Sequence, residues 1–183
     1  SEKQVAIKII RSGDLFLQQS QIEIQLYELL QKSVDPDRQY IVQLLDFFMY
    51  NGHRCLVFEQ LHYNLFDILR FNNFSGIHIR HVQRIAYQLF HALRYIHNET
   101  NRIIHCDVKP ENILLTEHNG CDIKLIDFGS SSHSGSCFFS YIQSRYYRAP
   151  EVILGLPYTS SIDMWSVACV LFEMCTRSEE RRV

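Results

Sequence analysis

His105-Cys106-Asp107-Val108-Lys109-Pro110-Glu111-Asn112 and, further along, Asp127-Phe128-Gly129 decide how this sequence is read. Asp107, Lys109 and Asn112 fall within six residues, with Pro110 stiffening the turn between them. A carboxylate at 107 can orient a hydroxyl and take its proton. The ammonium of Lys109 can neutralise charge on a moving anionic group. Asn112 offers a neutral oxygen to a hard cation such as Mg²⁺, and Asp127 offers a charged one. Gly129 lets the chain turn sharply after Asp127. Positioning and charge neutralisation are what phosphoryl transfer asks of a protein. H-x-D alone would read as a surface loop of mixed charge. The pattern H-x-D-x-K-x-x-N, then a hairpin, then D-F-G is far more demanding.

Outward from this stretch, the periodicity divides the chain into strands first and helices later. Residues 4–10 are apolar and β-branched around Lys8, which predicts a buried strand. Residues 15–32 carry Ile22, Leu26, Leu29 and Leu30 at helical spacing, and Asp35-Pro36-Asp37 ends that helix. Strands are predicted over Ile41 to Met49 and Cys55 to Phe58, joined by the hairpin signal Asn51-Gly52. A short helix follows over Asn64 to Arg70. The clearest helix spans 79–97, with Val82, Ile85, Ala86, Leu89, Phe90, Leu93 and Ile96 on one face. Short strands at Ile113 to Leu115 and Ile123 to Ile126 flank Asn119-Gly120. Residues 130–140 are Ser-rich and read as a loop. Residues 162–175 predict a central helix, apolar on nearly all sides.

The composition is that of an ordinary globular chain: 183 residues, 46% apolar, 21% charged, formal net charge −2. That balance points to neither a nucleic-acid partner nor a polybasic membrane surface. The most apolar run, Ile162 to Cys175, contains Asp163 and Glu173 and is too short to span a bilayer. The six cysteines, Cys55, Cys106, Cys121, Cys137, Cys169 and Cys175, form no C-x-x-C pair. With no signal peptide, this favours reduced thiols and an intracellular location, cytoplasmic or nuclear.

On these motifs the chain resembles the eukaryotic protein kinases from residue 4 to about 176. The resemblance implies an α+β, two-lobed kinase fold that is incomplete at both ends. Residues 1–61 would be a small β-rich N-lobe with the hinge, and residues 62–183 a mostly helical C-lobe. ATP and Mg²⁺ are the implied cofactors and proteins the implied substrates. Lys8 in Val5-Ala6-Ile7-Lys8 matches the strand lysine that holds the α and β phosphates, and Glu23 matches its ion-pair partner. A lysine inside an apolar strand needs a partner or a ligand. By resemblance, Phe58 is the gatekeeper, and main-chain groups of Glu59 and Leu61 in the hinge would meet adenine. Ala6, Leu114 and Ile126 would line the adenine slot, and Asn64 would stand at the nucleotide. Asp107, Lys109 and Asn112 take the catalytic roles, while Asn112 and Asp127 hold the metal. Asp163 would hydrogen-bond the catalytic-loop backbone.

Ser144-Arg145-Tyr146-Tyr147-Arg148-Ala149-Pro150-Glu151, with Tyr141 before it, is similar to the branch that contains cyclin-dependent, MAP and dual-specificity tyrosine-regulated kinases. Cys106 replaces the usual arginine, as in the tyrosine-regulated and homeodomain-interacting subfamilies. Phe139-Ser140-Tyr141 departs from the Tyr-x-Tyr of the first, whereas Leu15 to Glu23 leans toward it. The resemblance therefore covers both subfamilies. Cys106 cannot grip a phosphate as arginine does. A phosphate on Tyr141 would then pair with Arg145 and Arg148; the plainer reading is a packing aromatic. No G-x-G-x-x-G precedes Lys8, and Arg177 to Val183 fits no family pattern, so the sequence reads as a fragment or an incomplete gene model. The two functions to separate are a Ser/Thr kinase that phosphorylates its own Tyr141 and a non-catalytic, pseudokinase-like scaffold. The intact set Lys8, Glu23, Asp107, Lys109, Asn112 and Asp127 favours the enzyme.

Overall fold

The Asn51-Gly52 turn closes as its sequence dictates. Both residues take positive φ (47° and 80°), the geometry that lets a two-residue loop follow the twist of the flanking strands. The turn joins β2 (Leu44–Tyr50) to β3 (His53–Glu59), and β1 (Val5–Ile9) pairs antiparallel with the other side of β3. The sheet order is β1-β3-β2. The computed structural model describes residues 4–118, 120–133 and 141–176. Asn119, most of the Ser-rich stretch with Phe139, and Arg177 to Val183 lie outside the described residues.

β1 is not the buried strand that its composition predicts. Among the described residues it lies at the edge of the sheet, with Val5, Ile7 and Ile9 exposed, while Ala6 and Lys8 are half-buried. An apolar run cannot distinguish a strand covered on both faces from one covered on a single face.

Helix α1 (Asp14–Gln31) packs beneath the sheet. Its buried side holds Ser20, Glu23, Ile24, Leu26, Tyr27 and Leu30, and Ile22 is exposed. Pro36 then opens a single 3-10 turn (Pro36–Tyr40), in which Asp35 accepts a hydrogen bond from Asp37 N at 2.9 Å.

Helix α2 (Leu65–Phe71) begins where the Asn64 side chain accepts from Asp67 N at 2.7 Å. Helix α3 (Ile79–His97) is the spine of the core. Val82, Ile85, Leu89, Leu93 and Ile96 are buried at helical spacing, each worth about 1.5–3 kcal/mol of removal from water. Phe90, assigned to the same face by sequence, is exposed.

The segment around the 3-10 turn is fixed to α3 rather than to the sheet. Asp37, buried, takes His91 Nδ1 at 2.9 Å and Arg94 Nη2 at 2.6 Å, and the Tyr95 hydroxyl donates to Leu30 O at the end of α1.

Two small ladders carry the functional loops: β4 (Ile103–Ile104) with β7 (Ser132–His133), and β5 (Ile113–Leu115) with β6 (Ile123–Leu125). Helix α4 (Pro150–Ile153) and helix α5 (Ser161–Cys175) follow. α5 buries Ile162, Val167, Val170 and Met174 but turns Met164, Trp165 and Phe172 outward, so it is not covered on all sides. None of the helices in the described residues is long and apolar enough to cross a membrane.

Candidate active site

The loop between β4 and β5 is held from below by one buried carboxylate. Asp163, at the start of α5, accepts His105 N at 2.7 Å and Cys106 N at 2.9 Å, and His97 Nε2 lies 2.8 Å away. This is the backbone contact that the resemblance implies. It supports a left-handed conformation at Cys106, φ 65°, which a non-glycine residue adopts only when its surroundings impose it. The Cys106 thiol is fully buried, 3.5 Å from both Ile104 O and Ser132 Oγ, as a structural thiol would be. His105 accepts from Asp107 N at Nδ1 (3.2 Å), so its Nε2 carries the proton given to Ile126 O (3.0 Å). That bond fastens the loop to the strand end that precedes Asp127.

Asp107 is fully engaged. Lys109 Nζ lies 2.6 Å from Oδ2, Ser144 Oγ donates to Oδ1 at 2.8 Å, and Asn112 Nδ2 donates to the main-chain oxygen at 2.9 Å. Lys109 also reaches Ser144 Oγ at 3.2 Å. Sequence reading missed Ser144, which lies far from Asp107 along the chain. Because Nδ2 of Asn112 points to Asp107, its Oδ1 is the atom left to meet a cation.

A second group faces this one across the cleft. Lys8 Nζ bonds Glu23 Oε1 and Oε2 at 2.8 and 3.0 Å and Asp127 Oδ1 at 2.7 Å. Burial opposes the charge on Lys8, but Glu23 and Asp127 together outweigh it and raise the ammonium above its ordinary pKa. Burial raises the Glu23 carboxyl, with Lys8 pulling only part of the way back. Burial also pushes Asp127 up, yet Lys8 and the Gly129 amide bring it below the usual carboxylate value. Asp127 sits at φ 65°, ψ 80°. Gly129 leaves room for this cluster: a Cβ there would stand 3.1 Å from Asp127 Oδ1, 3.3 Å from Glu23 Oε2 and 3.4 Å from Lys8 Nζ, close enough that these side-chain tips would have to shift.

Between these groups and the strand edge lies a cavity of about 460 Å³, lined by Ala6, Phe58, Glu59, Leu61, Leu114 and Ile126, with Lys8, Glu23 and Asp127 at its inner end. Ile7, Tyr27, Val42, Gln60 and His62 also line it. Gln60 falls in the hinge that the resemblance implies, whereas Ile7, Tyr27, Val42 and His62 are not singled out from sequence. Asn64 stands outside this lining, and its side chain is spent capping α2. The Glu59 carboxylate pairs with Lys124 at 2.5 Å and accepts Gln43 N at 2.8 Å, so it braces the hinge rather than facing the cavity contents. Phe58, Tyr27, Phe128 and His105 form an edge-to-face column at centroid spacings of 5.1, 5.2 and 5.0 Å, from the strand edge down to the catalytic loop.

The sequence matches the model of the protein kinase domain over residues 1–181, beyond the 176 at which the motif resemblance stops. The chain belongs to the protein kinase family. It is 46% identical to the serine/threonine-protein kinase ppk15 of Schizosaccharomyces pombe over 93% of its length and 32% of that protein's. It is 42% identical to the dual specificity protein kinase YAK1 of Saccharomyces cerevisiae (93% and 21%). It is 44% identical to the probable serine/threonine-protein kinase yakA of Dictyostelium discoideum (95% and 12%). The chain thus spans a third or less of the length of these relatives, which lie on the dual-specificity tyrosine-regulated side of the family. The mixed α+β architecture, β-rich first and helical later, is that of the family.

The pair Asp127 and Asn112 Oδ1 suits Mg²⁺, which accepts a few oxygen donors from protein and completes its shell with water and phosphate. No cluster of three or more His, Cys, Asp or Glu among the described residues offers a fuller cage.

Tyr141 is exposed, and the Arg148 guanidinium stacks 4.2 Å from its ring centre. A hydrogen bond from Arg148 and then its charge hold the phenol below the usual tyrosine pKa. Arg148 also donates to Ile142 O at 2.9 Å and Gln143 O at 2.7 Å. Arg145 opens a 3-10 turn (Arg145–Tyr147) and is a lesser influence on Tyr141.

Proposed function

We propose that the protein containing this chain transfers the γ-phosphoryl group of ATP to serine and threonine hydroxyls of proteins, with Mg²⁺, and phosphorylates its own Tyr141. The observation that carries this reading is the Asp107 carboxylate, braced by Lys109, Ser144 and Asn112. Asp107 orients the acceptor hydroxyl and receives its proton as the new P–O bond forms and ADP leaves. Lys109 is within reach of the same oxygens and offsets charge on the transferred group. Lys8, fixed by Glu23, presents its ammonium to phosphate oxygens at the inner end of the cavity. Ala6, Leu114 and Ile126 supply the apolar walls that a purine ring needs. Mg²⁺, held by Asp127 and Asn112, would supply charge neutralisation between the phosphates.

The kinase branch that the chain resembles often favours proline after the phosphorylated residue, and the backbone beside Tyr141 fits that expectation. Gln143 sits at φ 62°, and its carbonyl is already taken by Arg148. If the residue after the acceptor lies beside this carbonyl, as the resemblance implies, its N–H finds the acceptor occupied, and proline brings no N–H. Tyr141 autophosphorylation is supported by its exposure and by the guanidinium beside it, which would meet a phosphate without new ordering. The free cysteines among the described residues support an intracellular location.

Asp107→Asn in the full-length protein is the test. Phosphorylation of a peptide should fall about 10²–10⁴-fold with ATP binding retained. Activity equal to the parent would refute the assignment. Mass spectrometry of the active protein should find phosphate on Tyr141, and an active enzyme without it would refute the autophosphorylation.

A further inference from the structure

Tyr27 lies one helical turn beyond Glu23 on α1, with 1% of its surface exposed. Its ring packs edge-on between Phe58 and Phe128. That slot is apolar, and phenylalanine would fill it equally well. Its hydroxyl is nevertheless the one buried side-chain polar atom without a hydrogen-bond partner among the described residues. Buried hydroxyls are normally paired, because an unpaired one forfeits its hydration for nothing. The groups around this hydroxyl are the carboxylates of Glu23 and Asp127 and the main-chain amides of Asp127 and Phe128.

Asp127 needs support at its main chain. Its left-handed backbone is costly for any residue other than glycine. The bonds that hold it now, from Lys8 Nζ and Gly129 N, both end on Oδ1 of its carboxylate. That carboxylate is the group a cation would engage, and phosphate oxygens would compete for Lys8. An anchor on the backbone is free of that competition.

We propose that the Tyr27 hydroxyl is this anchor: a positioning group on α1 that accepts from the amides of Asp127 and Phe128 and gives its proton to Glu23. A small closing movement of α1 onto the Asp127–Gly129 turn completes the bond. The hydroxyl thereby ties the helix carrying Glu23 to the backbone carrying Asp127. The inference rests on the reading of Asp127 as a metal ligand.

The test is Tyr27→Phe in the full-length protein, which keeps the ring and its packing. Amide hydrogen exchange is measured with neither nucleotide nor metal present. Exchange in the peptide covering residues 123–131 should accelerate about three- to ten-fold, the scale of one buried hydrogen bond, with α3 peptides unchanged. In kinetics, the half-saturating Mg²⁺ concentration should rise by a similar factor. Unchanged exchange at 123–131, or equal acceleration in α3, would overturn the proposal. Exchange does not depend on catalysis, so a parent protein without kinase activity would sink the functional reading and leave the exchange result to judge Tyr27.

Discussion

Replacing Asp163 with asparagine tests whether one buried carboxylate holds the catalytic loop. Asp163 is fully buried and receives two main-chain N–H groups, from His105 and Cys106, beside His97 Nε2. A hydrogen bond to a charged acceptor is worth about 1.5–3 kcal/mol. Asparagine keeps one carbonyl oxygen and turns an NH₂ group toward the other donor. One charge-assisted bond is lost and two donors then face each other, for a cost of about 2–4 kcal/mol. At about 2–4 °C per kcal/mol for a domain of this size class, the melting temperature should fall by about 5–15 °C. The damage should also be local. Cys106, released from its strained φ of 65°, would relax, and Asp107 beside it would lose its aim. Calorimetry of the full-length protein, hydrogen exchange over 104–108 and kcat are the three readouts. A variant that melts within about 2 °C of the parent, with unchanged exchange over that peptide, would refute the reasoning.

Gly129→Ala places a Cβ 3.1 Å from Asp127 Oδ1, so the contact between Lys8 and Asp127 should open and kcat/KM for ATP fall about tenfold or more. Steady-state kinetics equal to the parent's would show that these side-chain tips yield without cost and would refute the prediction. Because the folded pKa of Asp127 is lowered, its stabilising contribution is present above about pH 4 and is lost as pH falls through the depressed value. Asp127→Asn should therefore flatten the acid limb of a urea-stability profile below about pH 4, and parallel acid limbs would contradict this. Peptides with proline after the acceptor serine should exceed their alanine counterparts in kcat/KM by about tenfold, the scale of one unpaired amide. Equal rates would mean that the Gln143 carbonyl is not what selects.

What the sequence made legible is what local chemistry decides. Asn51-Gly52 admits few turns, and the periodicity from 79 to 97 marks α3 from end to end. That Lys8 needs a partner follows from a lysine in an apolar strand, but it is the resemblance that names Glu23, and the structure places the two in contact. Ser144 could not be found in this way, since nothing near it in sequence announces that its hydroxyl meets Asp107. The same holds for Glu59 and Lys124, whose pairing depends on how β3 and β6 meet. Ile22 and Phe90 fit the helical pattern yet face solvent, because periodicity locates an apolar stripe without saying how wide a neighbour covers it. Nothing in the sequence singles out Tyr27, whose setting emerges only when its hydroxyl is placed near carboxylates and amides.

The fastening of Asp37 to His91 and Arg94, with Tyr95 bonded to Leu30 O, has a mechanical consequence. It clamps the C-terminal end of α1 to α3, while the helix's other end lies beside the sheet. Helix α1 is then a lever with its fulcrum near Gln31. Glu23 stands about 12 Å along the arm and Asp14 about 26 Å, at 1.5 Å per residue. A push at the Asp14 end reaches Glu23 at roughly half its amplitude. The contact between Glu23 and Lys8 is thereby geared down from whatever presses on the far tip of the helix.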